Sequence, residues 1–235
     1  MNILEKIIHL SKKNLAYETL RTAIVEGKLQ PGERLNISDL ALQLGISEIP
    51  VREAINRLNS ESFIYSQDNS HNVAPLSEQE FLEMLEIRLS LEIIAIRIAM
   101  QKIDEEGIER QKKLLLDMQT TLDNDDIDSY AKLHKLFHRD TFQYCGIAYL
   151  NRALDDAWDH HERGLNVFHL TPWEKKPSLS DHKKIVEYME KKDIVKLEKL
   201  FITHRRRSFD MYFEKLRIRK SMANLYKPRE LFNSP

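Results

Sequence analysis

"LQPGERLNISDLALQLGISEIPVREAINRLNSESFI", residues 29–64, holds two short apolar-periodic runs separated by a glycine and a serine. "QPGERL" is turn-forming. Ser38 is placed to cap a short helix through "DLALQL", and Gly45 ends it by supplying the left-handed conformation that closes helices. Ser47 is placed to cap the next helix, "EIPVREAINRLNSE". Pro50 is tolerated there because it falls in the first turn, where its missing N–H has no intrahelical acceptor. Two helices joined by a tight turn result. Upstream, "LAYETLRTAIVEG" puts Leu20, Ala23 and Ile24 on one helical face, with Gly27 as the stop. Downstream, "FIYSQ" and "HNVAP" flank the polar "DNS" as a two-stranded hairpin. Helix, helix-turn-helix and hairpin in this order make a winged helix-turn-helix.

Past "NVAPLSEQE", residues 72–80, the short elements give way to long helical periodicities. Ser77 and Glu80 are spaced as a capping box. The following "FLEMLEIRLSLEIIAIRIAM" carries an apolar stripe of Phe81, Leu85, Leu91, Ala95 and Ile98. Further helices read as roughly 105 to 122, 127 to 145, 148 to 169, 180 to 191 and 194 to 218, separated by the short polar breaks "DNDDID", "TPWEKKPSLS" and "KKD". The expected architecture is therefore mainly α. A winged helix-turn-helix occupies residues 1–75, an antiparallel all-α bundle residues 76–220, and a tail without clear periodicity residues 221–235.

Composition agrees. Six glycines and seven prolines in 235 residues leave little turn chemistry for a large sheet, while 42% hydrophobic residues suffice for a core. The lone Cys145 excludes an internal disulfide framework and points to a reducing compartment, the cytoplasm; its expected role is that of a small buried apolar residue. Glu5, Lys6 and His9 interrupt the N-terminal apolar run as a signal peptide would not, and no window approaches the ~20 apolar residues of a membrane span. A net charge of −1 gives no global pull toward nucleic acid or membrane, so polyanion binding must come from local patches.

Residues 29–64 resemble the N-terminal domain of the GntR family of bacterial transcription regulators, whose pattern "PG..L....LA..LG.S..PVREAL.RL" spans the helix-turn-helix. Pro31, Gly32, Leu35, Leu40, Ala41, Leu44, Gly45, Ser47, Pro50, Val51, Arg52, Glu53, Ala54, Arg57 and Leu58 match it. The resemblance implies that the second helix enters the major groove of double-stranded DNA. Its first turn would present Ser47, Glu48, Ile49 and Arg52 to base edges, with Arg52 suited to guanine or phosphate. The chain departs from the family at Glu48, where an arginine is common, and in the acidic wing "SQDNSH". Residues 1–75 hold eight Lys and Arg against nine Asp and Glu. Such a domain should bind DNA weakly alone and depend on dimerisation, since phosphate neutralisation supplies most non-specific affinity.

In "KLHKLFHRDTF", residues 132–142, His134 and His138 stand four apart, on one helical face and about one turn from each other. The spacing suits a shared metal ion, and equally suits two solvated or hydrogen-bonded side chains. His182 follows in "LSDHKKIVEYM" and His204 in "LFITHRRRSF". The C-terminal FCD domain of FadR-type GntR regulators is similar: an aspartate, a histidine four residues on and two later histidines bind a divalent metal inside the bundle. That resemblance implies a metal site of His134, His138, His182 and His204, with His134 replacing the aspartate. Imidazoles suit zinc or nickel, and four neutral ligands leave a bound ion formally +2, which favours an anionic effector. Arg88 matches the family's "E.R..LE" arginine, implying a clamp for a small carboxylate effector; an ion pair with Glu92 at i+4 is the other reading. His160, His161 and His169 do not match and are expected on the surface or lining a cavity. Ile147 stands where the family often has asparagine. Of Arg205, Arg206 and Arg207, helical geometry should leave most solvated.

The function these residues imply is a metal-dependent, ligand-responsive transcription regulator, not an enzyme. It would act as a homodimer on a palindromic operator, its helical domains sensing a carboxylate. Two alternatives fit parts of the chain: a metal hydrolase or oxygenase using the histidines, and a sensor relative whose DNA binding has lapsed.

Overall fold

The computed structural model describes residues 12–68, 70–168 and 175–225. The N-terminal run, His169 and the tail beyond Leu225 lie outside the described residues. The chain separates into two compact units, one of residues up to 81 with 159–168, the other of 82–158 with the described residues from 175 onward.

The first unit begins with α1 (Lys12–Val25), followed by β1 (Arg34–Leu35), α2 (Ile37–Leu44), α3 (Glu48–Ser60), β2 (Ile64–Gln67) and β3 (Ser70–Val73). Gly27 and Gly45 take the left-handed conformation, φ 72° and 64°, that stops α1 and α2. The cap of α2 is Asn36 rather than Ser38: Asn36 is extended, and its side chain accepts from the Ser38 N–H at 3.0 Å. The helix therefore starts two residues earlier than a Ser38 cap would allow, and Asn is as good a cap as Ser. Ser47 holds the N-cap backbone position of α3 but makes no side-chain capping bond. The hairpin is tighter than expected, with Ser70 already opposite Gln67, and Asp68 (φ 51°) supplies the positive φ of a short turn. A third strand joins it: β1 pairs antiparallel with β3, Arg34 opposite Asn72, giving the order β1-β3-β2. Tyr17, Leu20, Ile24, Val51, Ile55, Leu58 and Phe63 form the buried core of this wing-bearing unit. Each fully buried large apolar side chain contributes about 1.5–3 kcal/mol.

Six helices follow: α4 (Glu78–Lys102), α5 (Glu105–Asp123), α6 (Ile127–Gln143), α7 (Ala148–Val167), α8 (Lys175–Glu190) and α9 (Ile194–Leu225). The capping box at the start of α4 forms as expected: the Ser77 N–H donates to Glu80 Oε2 at 2.8 Å, and the Glu80 N–H donates to Ser77 Oγ at 3.1 Å. The bond from the Ser77 backbone, and after it one from the Ser77 hydroxyl to the same Oε2 at 2.7 Å, hold the Glu80 carboxyl below its ordinary range. Asp104 and Asp126 cap α5 and α6 by one-way bonds, their side chains accepting from the N–H of Gly107 and of Ser129. The end of α7 packs in the first unit, where His160 stacks on Phe63 (4.4 Å), His161 is buried against Phe81, and Asp159 pairs with buried Arg21 at 3.0 Å. In the second unit the antiparallel bundle encloses a core of Ile96, Met100, Met118, Tyr130, Phe137, Phe142, Met189 and Phe201. Cys145 is buried there, its thiol donating to Asn151 Oδ1 at 3.2 Å. Ile147, 40% exposed, lies at the turn before α7. Among the described residues, no helix is long and apolar enough to cross a membrane.

Candidate metal and effector site

His134 and His138 lie one turn apart on α6, His182 sits near the middle of α8, and His204 on the inner stripe of α9. All four are buried, and one ring nitrogen from each falls within 4.8 Å of the others. His138 Nε2 is 3.3 Å from His134 Nε2 and 2.9 Å from His182 Nε2. A metal–nitrogen distance of ~2.0–2.1 Å places the nitrogens of a tetrahedral site about 3.3 Å apart, so these separations suit one shared ion. Converging ring nitrogens are also poorly satisfied by one another, since a neutral imidazole carries a single N–H. Burial is the main reason that the pKa values of His134 and His138 lie well below the ordinary imidazole value; the charges of His182 and Arg205 add to it. His204 is lowered too, by burial, against the opposing pull of Asp181. Burial thus favours the neutral form of His134, His138 and His204, the form that donates a lone pair to a metal.

Two further groups support the cage. His204 Nδ1 lies 3.1 Å from Asp181 Oδ2, and Arg207 pairs with the same carboxylate at 2.8 Å. A carboxylate on the far nitrogen of an imidazole fixes its tautomer and turn. The bond to His204 is the first reason that the Asp181 pKa is lowered. Aromatic rings wall the cage: Phe137 is 4.9 Å from His182 centroid to centroid, and Phe201 5.9 Å from His138.

Beside the histidines lies a buried ionic cluster. Arg88 on α4 donates from Nε to Glu92 Oε1 at 2.9 Å, so the i+4 ion pair is formed. Arg205 on α9 reaches the same carboxylate, Nε 2.8 Å from Oε2 and Nη2 donating to Oε1 at 3.0 Å. Glu92 is 0% exposed, Arg88 1% and Arg205 4%. Two guanidiniums thus face one carboxylate, leaving one positive charge in excess in the interior. Burial brings the Arg205 pKa down to about 10 despite Glu92. The Arg88 guanidinium lies 3.7 Å from the centre of the Trp158 ring. Of the three consecutive arginines, two are exposed as expected, and Arg205 is the buried one: it follows Phe201 by one turn and so shares its buried face. Arg206 and Arg207 are about half exposed and pair with Glu86 and Asp181. Asp181, Glu92 and Arg205 were not singled out as site residues; adjacency to His182 and His204 is the only local signal for Asp181 and Arg205.

On the first unit, Ser47, Glu48, Ile49 and Arg52 are all exposed at the start of α3, with Ile49 at 71%. Glu48 lies 3.7 Å from Arg52. Arg57 does not join this face; it stacks 3.5 Å over Tyr17 and pairs with Glu61 at 3.0 Å.

A winged helix-turn-helix with an exposed first turn of its second helix, in one chain with a helical bundle enclosing a polar cage, defines a DNA-binding regulator with a ligand-binding domain. Residues 12–70 match the family described as bacterial regulatory proteins, gntR family, and residues 83–207 match the FCD domain. The chain belongs to the GntR family of transcriptional regulators, in the group that carries an FCD effector-binding domain, and is not an enzyme. It is 28% identical over 181 residues to the uncharacterized HTH-type transcriptional regulator YdhC of Bacillus subtilis, covering 75% of this chain and 80% of that one. It is 33% identical over 125 residues to the gluconate operon transcriptional repressor of the same species, covering 53% and 51%. The solved structure of Escherichia coli McbR/YncC shares the fold, with a TM-score of 0.76 at 21% identity over 88% of this chain and 100% of that one.

Proposed function

We propose that this regulator holds one divalent ion, zinc or nickel, through His134, His138, His182 and His204, and that its affinity for DNA responds to a small carboxylate bound beside that ion. The observation that carries this reading is the convergence of four buried imidazoles next to a buried cluster with one cation in excess. The ion, when bound, supplies positive charge to an anionic oxygen. Asp181 turns His204 toward the cage, and the surrounding rings exclude water. Glu92 engages Arg88 through Nε, which leaves the two terminal nitrogens for a bidentate carboxylate. The likeness to a gluconate operon repressor agrees with an acid as effector.

At the DNA, Ser47, Glu48, Ile49 and Arg52 of the exposed first turn of α3 read the major groove in each half of a palindromic operator, which a homodimer binds. Glu48 draws on the Arg52 charge and can accept from cytosine N4, so the half-site differs from one read by an arginine at that position. The test is fluorescence anisotropy of labelled DNA from upstream of the protein's own coding region, titrated with metal-loaded protein across a panel of di- and tricarboxylates. One acid should shift DNA affinity about 5- to 150-fold, the range of an allosteric coupling, and Arg88→Ala should abolish the shift. DNA affinity that no acid alters would refute the effector reading.

A further inference from the structure

Ile49 is 71% exposed and carries no polar side-chain atom, although it stands in the turn that the DNA reading sets against base edges. Its direction follows from the helix. At about 100° per residue, the buried Val51, Ala54, Ile55 and Leu58 mark the inner side of α3, and Ile49 projects almost straight away from them. Glu53 and Arg57 turn to one side, toward α1: Glu53 pairs with Lys13 at 3.3 Å and Arg57 stacks 3.5 Å over Tyr17. Glu48 and Arg52, 3.7 Å apart, occupy the other edge. Ile49 is the outermost side chain between them.

The major-groove edges of the four bases offer hydrogen-bonding atoms and one apolar group, the C5-methyl of thymine. An aliphatic side chain laid on a purine N7 or O6, or on a cytosine N4, takes water from that atom and returns no bond, which costs free energy. Laid on a methyl group, it removes apolar surface from water on both sides. Cytosine presents the same group when methylated at C5. With eight basic against nine acidic side chains, residues 1–75 draw little from phosphates, so contacts to base edges carry more of the affinity.

We propose that Ile49 packs on the C5-methyl group of a pyrimidine, thymine or 5-methylcytosine, next to the base edge that Glu48 reads; this rests on the DNA reading proposed above and names the group that one of its side chains recognises. The Glu48 carboxylate only accepts, so it disfavours thymine O4 at its own position, while Ile49 selects a methyl group at the neighbouring one. Together they define a half-site with a cytosine N4 donor beside a pyrimidine methyl.

The test uses the duplex that the metal-loaded full chain selects most tightly from a random-sequence pool, with fluorescence anisotropy as the readout. Its thymines are replaced by deoxyuracil one symmetric pair at a time, which removes the methyl and keeps the base pairing. One such pair should weaken wild type about tenfold, since burying one methyl is worth roughly three- to fourfold and the operator holds two. Ile49→Ala should weaken binding to the thymine duplex by a similar factor and be indifferent to the exchange, the coupling expected of a direct contact. Helical and metal content should stay as in wild type, because Ile49 is exposed. Ile49→Val, which keeps a branched apolar surface, should retain most of the discrimination. Where the methyl is that of 5-methylcytosine, the deoxyuracil series is flat, and methylating one symmetric pair of cytosines strengthens wild type about tenfold but Ile49→Ala not at all. Flat responses in both series overturn the inference while the DNA reading stands, as does a methyl effect that persists in Ile49→Ala. A pool from which no duplex is selected overturns the DNA reading and the inference together.

Discussion

Glu92→Gln removes the only carboxylate that the described structure gives to Arg88 and Arg205 while keeping side-chain size. The Glu92 oxygens lie 2.9 Å from Arg88 Nε and 2.8–3.0 Å from Arg205, with all three residues at most 4% exposed. Glutamine offers one acceptor and turns an amide donor toward a guanidinium, so two buried cations lose their counter-charge. Breaking a buried pair by removing one partner costs about 3–5 kcal/mol. At about 2–4 °C per kcal/mol for a chain of this size, Tm should fall by roughly 6–20 °C. The control is Glu198→Gln, whose partner Arg97 is 56% exposed and whose loss should cost only ~0–1 kcal/mol. The assay is thermal and urea unfolding followed by circular dichroism, with and without small carboxylates. A carboxylate that takes the place of Glu92 at 100 times its Kd should restore about 2.7 kcal/mol. A Glu92→Gln loss no larger than that of Glu198→Gln refutes the idea that a buried cationic excess shapes this interior.

His134→Asp should keep the ion, since a carboxylate is a competent ligand, but should weaken an anionic effector by lowering the charge of the site; calorimetry with the same acids reads the difference. Arg52→Ala should cost specific DNA binding about 1–3 kcal/mol in anisotropy titrations without changing metal content, and Glu48→Arg should strengthen binding and steepen its salt dependence. Chelator-treated protein should lose stability in acid. The buried histidines titrate below the ordinary value of 6.5, so the unfolded chain binds more protons than the folded one as pH falls through 6.5 and below. Their contribution is therefore complete above pH 6.5 and declines toward the lowered folded values. Unfolding free energies flat between pH 7 and 5 would contradict this.

Local signals carried most of the fold because most of its devices are local. The Ser77 and Glu80 capping box, the Gly45 stop and the periodicity of α4 are each set by residues within a turn of one another. β1 has no local signal, because two residues, Arg34 and Leu35, offer no alternation; they become a strand only by pairing with β3. The four histidines were legible through their family spacing. Glu92 and Arg205 were not, since a glutamate within an amphipathic helix and the first of three arginines look solvated until α4 and α9 pack. Burial of charge is a tertiary property, and here it took two helices more than a hundred residues apart to create it.

The central claim is that the four histidines hold an ion, and elemental analysis of the purified protein beside His138→Ala tests it most directly. His138 is chosen because its Nε2 faces both His134 and His182. About one divalent ion per wild-type chain after dialysis against metal-containing and then metal-free buffer, and less than about a tenth of that in His138→Ala, is the result the account predicts. Wild-type protein that leaves the same treatment without metal, or a variant that retains as much as wild type, would contradict it and leave the cage a hydrogen-bonded core.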